Sequence, residues 1–330
     1  MMKSKKYTFL MCSERSGSNF ITKIMNNHSQ ICGPATKHLI NPLVRNYFRY
    51  MPIEQPKNWN ELLEDLLNLY NVSFSLWRSE FNLDKLKKNI SLGDISGLID
   101  YFFTTEMLAN NKQHLFIKEI KLFEFYPFLK KYFNEASYIY LVRDPRDMAL
   151  SWKKSSIHFG GVVGAARQWK EDQQQYLKIH YLEGNNSFLL KYEDLVSDLA
   201  SLSKEILCLL GFGFEKEMLS IEKDDLTKEN AKKQKAWENL SNPVMTDNFN
   251  KFKEELSVEE IKFIEAICFF EMTHLGYKRQ YSWEELKDIS NHEINDFHTK
   301  ETQNINYNVS KSVLDNMNAK QKFYQRLTSK

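Results

Sequence analysis

Residues 13–20 read SERSGSNF. One guanidinium, Arg15, stands among small and hydrogen-bonding residues, Ser16, Gly17, Ser18 and Asn19, and an aromatic, Phe20, closes the run. Residues of these types hold an oxyanion. Gly17 permits close backbone approach, the polar side chains donate, and the arginine adds a full charge with forked donors. A second stretch, LVRDPRDMALSWKKS at 141–155, offers Arg143 and, eight residues on, Ser151 for another anionic group. The ordinary alternative for Arg143 is an ion pair with Asp144 or Asp147. Arg146 reads as more exposed, with only that ordinary role. The nucleotide loop pattern GxxxxGK[ST] is absent: no lysine follows Gly17, no second glycine precedes it, and no Ser or Thr is set up for Mg²⁺.

The elements that must position these residues are strand, turn and helix. YTFLMC at 7–12 is a short apolar run suited to a fully buried parallel strand, and Phe20, Ile21, Ile24, Met25 and His28 then recur at helical spacing. A helix N-terminus behind a small-residue turn adds partial positive charge where Arg15 stands. Tyr138–Val142 is the next clear strand, with Asp144 as cap and Pro145 at the first helical position. Arg143 then falls at the carboxyl end of its strand, where open α/β sheets bind ligands. Further strands are expected in HLFIKEIKLF at 114–123 and SFLLKYEDL at 187–195. Helices are expected over 59–70, 96–110 and 198–210, the last stopped by Gly211. Ser257 and Glu260 form a capping box ahead of one helix ending near Gly276. Four strands alternating with helices predict an α/β fold: a three-layer arrangement with a parallel sheet between helices.

The bulk composition bounds the rest. The chain has 330 residues, 42% of them hydrophobic, enough for one substantial α/β core. Forty-five Lys and Arg against 43 Asp and Glu leave +2, which gives no reason to expect nucleic-acid binding. Cys12, Cys32, Cys208 and Cys268 lie far apart, with no CxxC pair and no metal-ligand spacing, as in reduced cytosolic proteins. No run approaches the ~18 apolar residues that span a bilayer. A soluble, cytoplasmic protein is expected, with a core domain over 1–283 and a polar, helical or partly disordered appendage over 284–330.

Taken together, SERSGSNF and LVRDPRDMALSWKKS resemble the two nucleotide motifs of the sulfotransferases that use 3′-phosphoadenosine 5′-phosphosulfate, PAPS. LLKYEDLVSD at 189–198 is similar to the family's RYEDL segment, and KAWENLS at 235–241 with IEAICFFEMTHLGY at 264–277 is similar to its C-terminal Trp-containing segment and closing helix. The resemblance runs in order over about 7–278 and implies a P-loop-like sulfotransferase architecture, with PAPS as co-substrate and no metal. It implies that Arg15 meets the phosphosulfate bridge and that Ser16, Gly17, Ser18, Asn19 and Phe20 complete that loop. Arg143 and Ser151 would hold the 3′-phosphate. Tyr192 would lie near the adenine, or else simply pack at a strand end. Lys232, Lys233 and Lys235, ahead of Trp237, would close over the nucleotide. The chain departs from the cytosolic pattern: Arg15 replaces a lysine, FIKEIK at 116–121 carries no counterpart of the catalytic histidine, and the glycine-rich 3′-phosphate segment is missing. A phenol or steroid acceptor is therefore disfavoured against a carbohydrate hydroxyl, on a saccharide or glycolipid.

Sulfuryl transfer needs charge neutralised at the leaving phosphate, an acceptor oxygen held in line, and a proton acceptor. Arg15 suits the first task. His38, in CGPATKHLINP at 32–42, is the first candidate for the base, since a neutral imidazole near pH 7 is serviceable. Its ordinary alternative is a loop or capping hydrogen bond. Glu119 is the second candidate, with a surface ion pair to Lys118 or Lys121 as its alternative, and Lys118 could stabilise the transferring group. His158 is a lesser candidate that could touch the acceptor. Tyr47, Phe48, Arg49, Tyr50, Trp59, Trp77 and Arg78 include faces that could stack on sugars, though core packing explains them better. Two other functions compete: an ATP-dependent kinase-like phosphotransferase, and a non-catalytic nucleotide-binding protein of the same fold.

Overall fold

The computed structural model describes residues 6–73, 75–155, 157–220, 229–230, 248–303 and 311–325. Five parallel strands form one sheet: β1 (Tyr7–Cys12), β2 (Ile31–Cys32), β3 (His114–Lys118), β4 (Ser137–Val142) and β5 (Ser187–Lys191), in the order β2-β3-β1-β4-β5. The two-residue β2 was not expected; it is too short to show a pattern and is fixed only by its pairing of Ile31 with His114 and Cys32 with Leu115.

Alternation along the strands builds two cores, one on each face. Tyr7, Phe9 and Met11 of β1, Leu115 and Ile117 of β3, and Tyr138, Tyr140 and Val142 of β4 enter one core. Leu10, Cys12, Phe116, Ile139 and Leu141, the alternate residues, enter the other. Both faces are covered, so the strands read as continuous apolar runs rather than alternating ones. Each large apolar side chain so buried contributes about 1.5–3 kcal/mol before entropy is counted.

The second core is closed by α1 (Ser18–Asn27), through Ile21, Ile24 and Met25, and later by Ile206, Leu207 and Leu210. The first core is larger. α2 (Ile40–Asn46), α3 (Pro56–Asn71), α4 (Leu83–Asn89) and α5 (Ile95–Ala109) pack there, as do α6 (Tyr126–Tyr132), α7 (Pro145–Lys153) and α8 (Gly161–Glu183). Tyr50, Trp59 and Trp77 are buried in it, which settles them as core residues and not sugar platforms, whereas Phe48 is half exposed. α9 (Tyr192–Ser197) and α10 (Leu199–Leu210) follow β5, and Gly211 ends α10 in the left-handed conformation as expected. The capping box at Ser257 and Glu260 is present, but the helix behind it breaks at Cys268 into Val258–Ile267 and Phe269–His274. Asn291–Gln303 and Lys311–Gln325 are helical; the first packs on α8 and the second on α2 and α3.

Candidate active site

Because the strands are parallel, the turns after β1, β3, β4 and β5 open on one edge of the sheet. β1 lies between β3 and β4 in register, Leu10 opposite Lys118 and Cys12 opposite Leu141. The sequence candidates therefore come from adjacent strand ends: Arg15 after β1, Lys118 and Glu119 at β3, Arg143 at β4.

The turn after β1 is held in an uncommon shape. Arg15 and Gly17 both have positive φ, 65° and 86°. A side chain at Gly17 would put Cβ 2.3 Å from the Tyr192 ring, so only glycine lets α9 close on this turn. α1 begins with no side-chain cap, which leaves its first N–H groups facing the turn. α7 contrasts with it: Asp144 accepts from Arg146 N, and Pro145 fills the first position.

The two guanidiniums meet here. Arg15 Nε donates to Ser151 Oγ at 2.9 Å, and Arg143 Nη1 donates to the Arg15 carbonyl at 3.1 Å. Arg143 also donates to the Asn248 carbonyl at 2.8 Å and lies 4.6 Å over the Tyr192 ring. Neither arginine makes an ion pair among the described residues. Asp144 pairs with Arg146, while Asp147 accepts the N–H groups of Asn250 and Phe252, so the ordinary alternative for Arg143 does not hold. Burial, and then the neighbouring Arg143, lower the pKa of Arg15. Two buried donors here, Ser16 Oγ and Arg143 Nε, have no hydrogen-bond partner among the described residues. Like charges set side by side with orphaned donors fit an anionic ligand that supplies the missing acceptors. Tyr192 is buried between Gly17, Arg143 and Asn248, whose amide donates to its hydroxyl at 3.2 Å. Arg146 is not exposed: it is buried against Asp144 and Glu265, tying α7 to the Val258–Ile267 helix. Lys232, Lys233, Lys235 and Trp237 lie outside the described residues.

The other half of the site is an acid–base cluster. His38 and Glu119 are not alternatives but partners, His38 Nδ1 to Glu119 Oε1 at 2.6 Å, with the second carboxylate oxygen accepting Ile40 N–H at 3.2 Å. Burial lowers the pKa of His38 although Glu119 opposes it. His38 has φ 51°, a left-handed strain that the fold imposes at this position. Its loop is pinned from α3 and the segment after it: Trp77 Nε1 donates to the Ala35 carbonyl at 2.7 Å, and Lys37 Nζ donates to the carbonyls of Tyr70 and Ser75. Lys118 donates to Asn19 Oδ1 at 2.8 Å, and burial lowers its pKa. Ser18 forms the first residue of α1, and Phe20 packs on the second core.

Glu14 was missed by sequence reasoning. His158 Nε2 lies 3.4 Å from its carboxylate, while His158 Nδ1 meets Ser155 Oγ at 2.7 Å. Burial would raise the Glu14 pKa, but His158, with His38 and Lys118 behind it, draws it down to about 2. Its only signal was its place beside Arg15.

A family profile described as "Sulfotransferase family" matches residues 8–216, more than half of the chain. No curated protein matches the sequence. Among solved structures, the sulfotransferase domain from the Synechococcus PCC 7002 olefin synthase is similar at 19% identity and TM-score 0.54, covering 79% of this chain and 94% of that one. The sulfotransferase domain from the curacin biosynthetic pathway is similar at 16% identity and TM-score 0.52, covering 83% and 98%. These two show a shared fold. The profile match establishes that the chain belongs to the sulfotransferase family.

Proposed function

We propose that the protein transfers the sulfuryl group of PAPS to a hydroxyl acceptor. One observation carries the reading: Arg15 and Arg143 stand together at neighbouring strand ends, without an ion pair among the described residues and with orphaned donors beside them. A ligand with two anionic groups on one nucleoside answers that arrangement. Arg15, the uncapped start of α1, Ser16 and Ser18 would meet the phosphosulfate. Arg143 and Ser151 would hold the 3′-phosphate, with Tyr192 packed under the Arg143 guanidinium and not offered as a free stacking face.

The chemistry follows from the cluster opposite. Glu119 accepts the Nδ1 proton of His38, which fixes the tautomer and leaves the Nε2 lone pair free. His38 then takes the acceptor's proton as its oxygen attacks sulfur in line. Arg15 and Lys118 oppose the charge that gathers on the leaving phosphate and the passing sulfuryl oxygens. Such a donor supplies about 3 kcal/mol of transition-state stabilisation. A cytoplasmic setting is consistent with four free cysteines, and among the described residues no helix is long and apolar enough to cross a membrane.

For the acceptor, a saccharide or glycolipid hydroxyl is the first class to test. The olefin synthase and curacin pathway origins of the similar domains favour a second, a hydroxyl on a biosynthetic intermediate. Transfer of labelled sulfate from PAPS to a panel of saccharides, glycolipids and hydroxyacyl compounds tests the proposal, with ATP and Mg²⁺ as the competing donor. Label in an acceptor, lost in Arg15→Ala, supports it. Phosphate transfer from ATP with no sulfate transfer would overturn it.

A further inference from the structure

Beyond residue 216, where the family profile ends, the chain returns to the outer side of α8. The Val258–Ile267, Phe269–His274 and Asn291–Gln303 helices pack on α8, and the short Trp283–Leu286 helix packs on the first of them. Between these elements lies a cleft of about 420 Å³, within the size range of small-molecule sites. It is separate from the catalytic edge of the sheet. α8 turns Trp169 to the Arg143 carbonyl and Gln173 to Ser13, at 2.9 and 2.8 Å. The side it gives the cleft is another one: Arg167, Lys170, Glu171 and Gln174, at three- and four-residue spacing.

The floor of the cleft is apolar. Ile267, Phe269, Leu286, Ile289 and Ile294 line it, and Leu286 and Ile294 are buried there. Trp283 stands at the rim and is 56% exposed. It is nevertheless held in place: its ring meets Phe269 edge-on at 5.2 Å, and the Ser282–Glu285 capping box fixes its helix. A large indole fixed at the mouth of a cleft offers an apolar body to whatever enters.

The charge of the lining has one sign in excess. Arg167, Lys170 and Lys287 stand against a single carboxylate, Glu171. Arg167 donates to Asn295 Oδ1 at 2.5 Å, and Lys287 pairs with Glu284. Lys170 is partly buried at the side of the cleft and makes no ion pair or hydrogen bond among the described residues. An apolar floor and an unanswered ammonium call for two parts of one ligand. A neutral sugar would leave Lys170 unanswered and set hydroxyls against aliphatic side chains. A cationic chain would meet like charge.

We infer that this cleft is a second ligand site, which takes an amphipathic anion: an alkyl or acyl chain laid between Trp283 and the aliphatic floor, with a carboxylate or sulfate head at Lys170. A carboxylate head would mark a fatty acid. A sulfate head would mark the class of product that sulfation of a lipid hydroxyl yields. The inference does not depend on the sulfotransferase reading.

The test is binding of decanoate and decyl sulfate, below their micelle concentrations, to the full chain. It is read on the six tryptophan indole N–H signals by NMR, with that of Trp283 assigned through Trp283→Phe. Both anions should move the Trp283 signal saturably. The tighter of the two names the head group. Lys170→Met should weaken both by about tenfold, the scale of one charge-assisted contact, and Lys170→Arg should restore them. Decyltrimethylammonium and decyl maltoside should bind far more weakly. Four results would overturn the proposal: no saturable shift from either anion, a shift spread evenly over all the indoles, unchanged affinity in Lys170→Met, or equal binding of the cationic or neutral chain. A Trp283 shift with glucose 6-sulfate but not with decanoate would make the cleft a saccharide site and overturn it too. The melting shift given by 3′,5′-bisphosphoadenosine should persist in the Lys170 and Trp283 variants. If the wild type shows none, it is the PAPS reading that fails, and the titrations still decide the cleft.

Discussion

The two halves of the site are built differently. The half proposed to hold the nucleotide comes from two short turns, 13–20 and 143–151, each following one strand and entering one helix. The acid–base half comes from segments far apart in the chain: Glu14, His38, Glu119 and His158. The first half is held by backbone geometry, including the glycine that Tyr192 packs against. The second is held by side-chain pairs whose charges set one another. Binding should therefore respond to the first half, and proton transfer to the second.

The largest effect is expected at His38. His38→Ala should lower kcat by about 10²- to 10⁴-fold with little change in the melting shift given by 3′,5′-bisphosphoadenosine. Glu119→Gln should lower it as well, and the double variant should fall short of the product of the two, since both act through one proton. Initial-rate kinetics beside nucleotide melts make the comparison. Equal damage to nucleotide binding would erase the division between the halves. The pH dependence follows with its sign. With the His38 pKa depressed by burial, the neutral base predominates at pH 7, so the rising limb of kcat/KM should lie below the ordinary histidine range near 6.5.

Arg15→Ala is next, at about 10²- to 10³-fold in turnover, the usual cost of one donor at developing charge. Unlike His38→Ala, it should also weaken nucleotide binding, because the proposal gives Arg15 both the phosphosulfate and the leaving group.

The two turns were legible as strand, turn and helix because each is contiguous and formed for local reasons. Strand burial, the caps at Asp144 and Ser257, and the stop at Gly211 were legible for the same reason. What the sequence hid was pairing over distance. His38 and Glu119 read as rivals because 81 residues separate two atoms 2.6 Å apart. Arg146 read as exposed because its partner Glu265 lies 119 residues on.

The smallest effect sharpens the comparison from beneath the cradle. Asp172 of α8 is buried, accepts from Gln168 Nε2 at 2.8 Å, and burial pushes its pKa up to about 7. A carboxyl with a folded pKa above its unfolded value favours the fold while protonated. That stability is present below about pH 4 and is lost as pH rises through about 7. Asp172→Asn, which keeps the shape and removes the charge, should therefore be more stabilising at pH 8 than at pH 5, by about 1 kcal/mol or more. Urea unfolding at the two pH values measures this. An asparagine that destabilises more at pH 8 than at pH 5 would reverse the assigned sign.

The central claim is that two adjacent guanidiniums hold one nucleotide. Its most direct test is a calorimetric cycle of 3′,5′-bisphosphoadenosine binding to the wild type, Arg15→Ala, Arg143→Ala and the double variant. The account predicts weaker binding in each single variant, by about tenfold or more at Arg143, and losses in the double variant that depart from the sum because Arg143 is bonded to the Arg15 carbonyl and both face one ligand. Wild-type affinity in Arg143→Ala would contradict it.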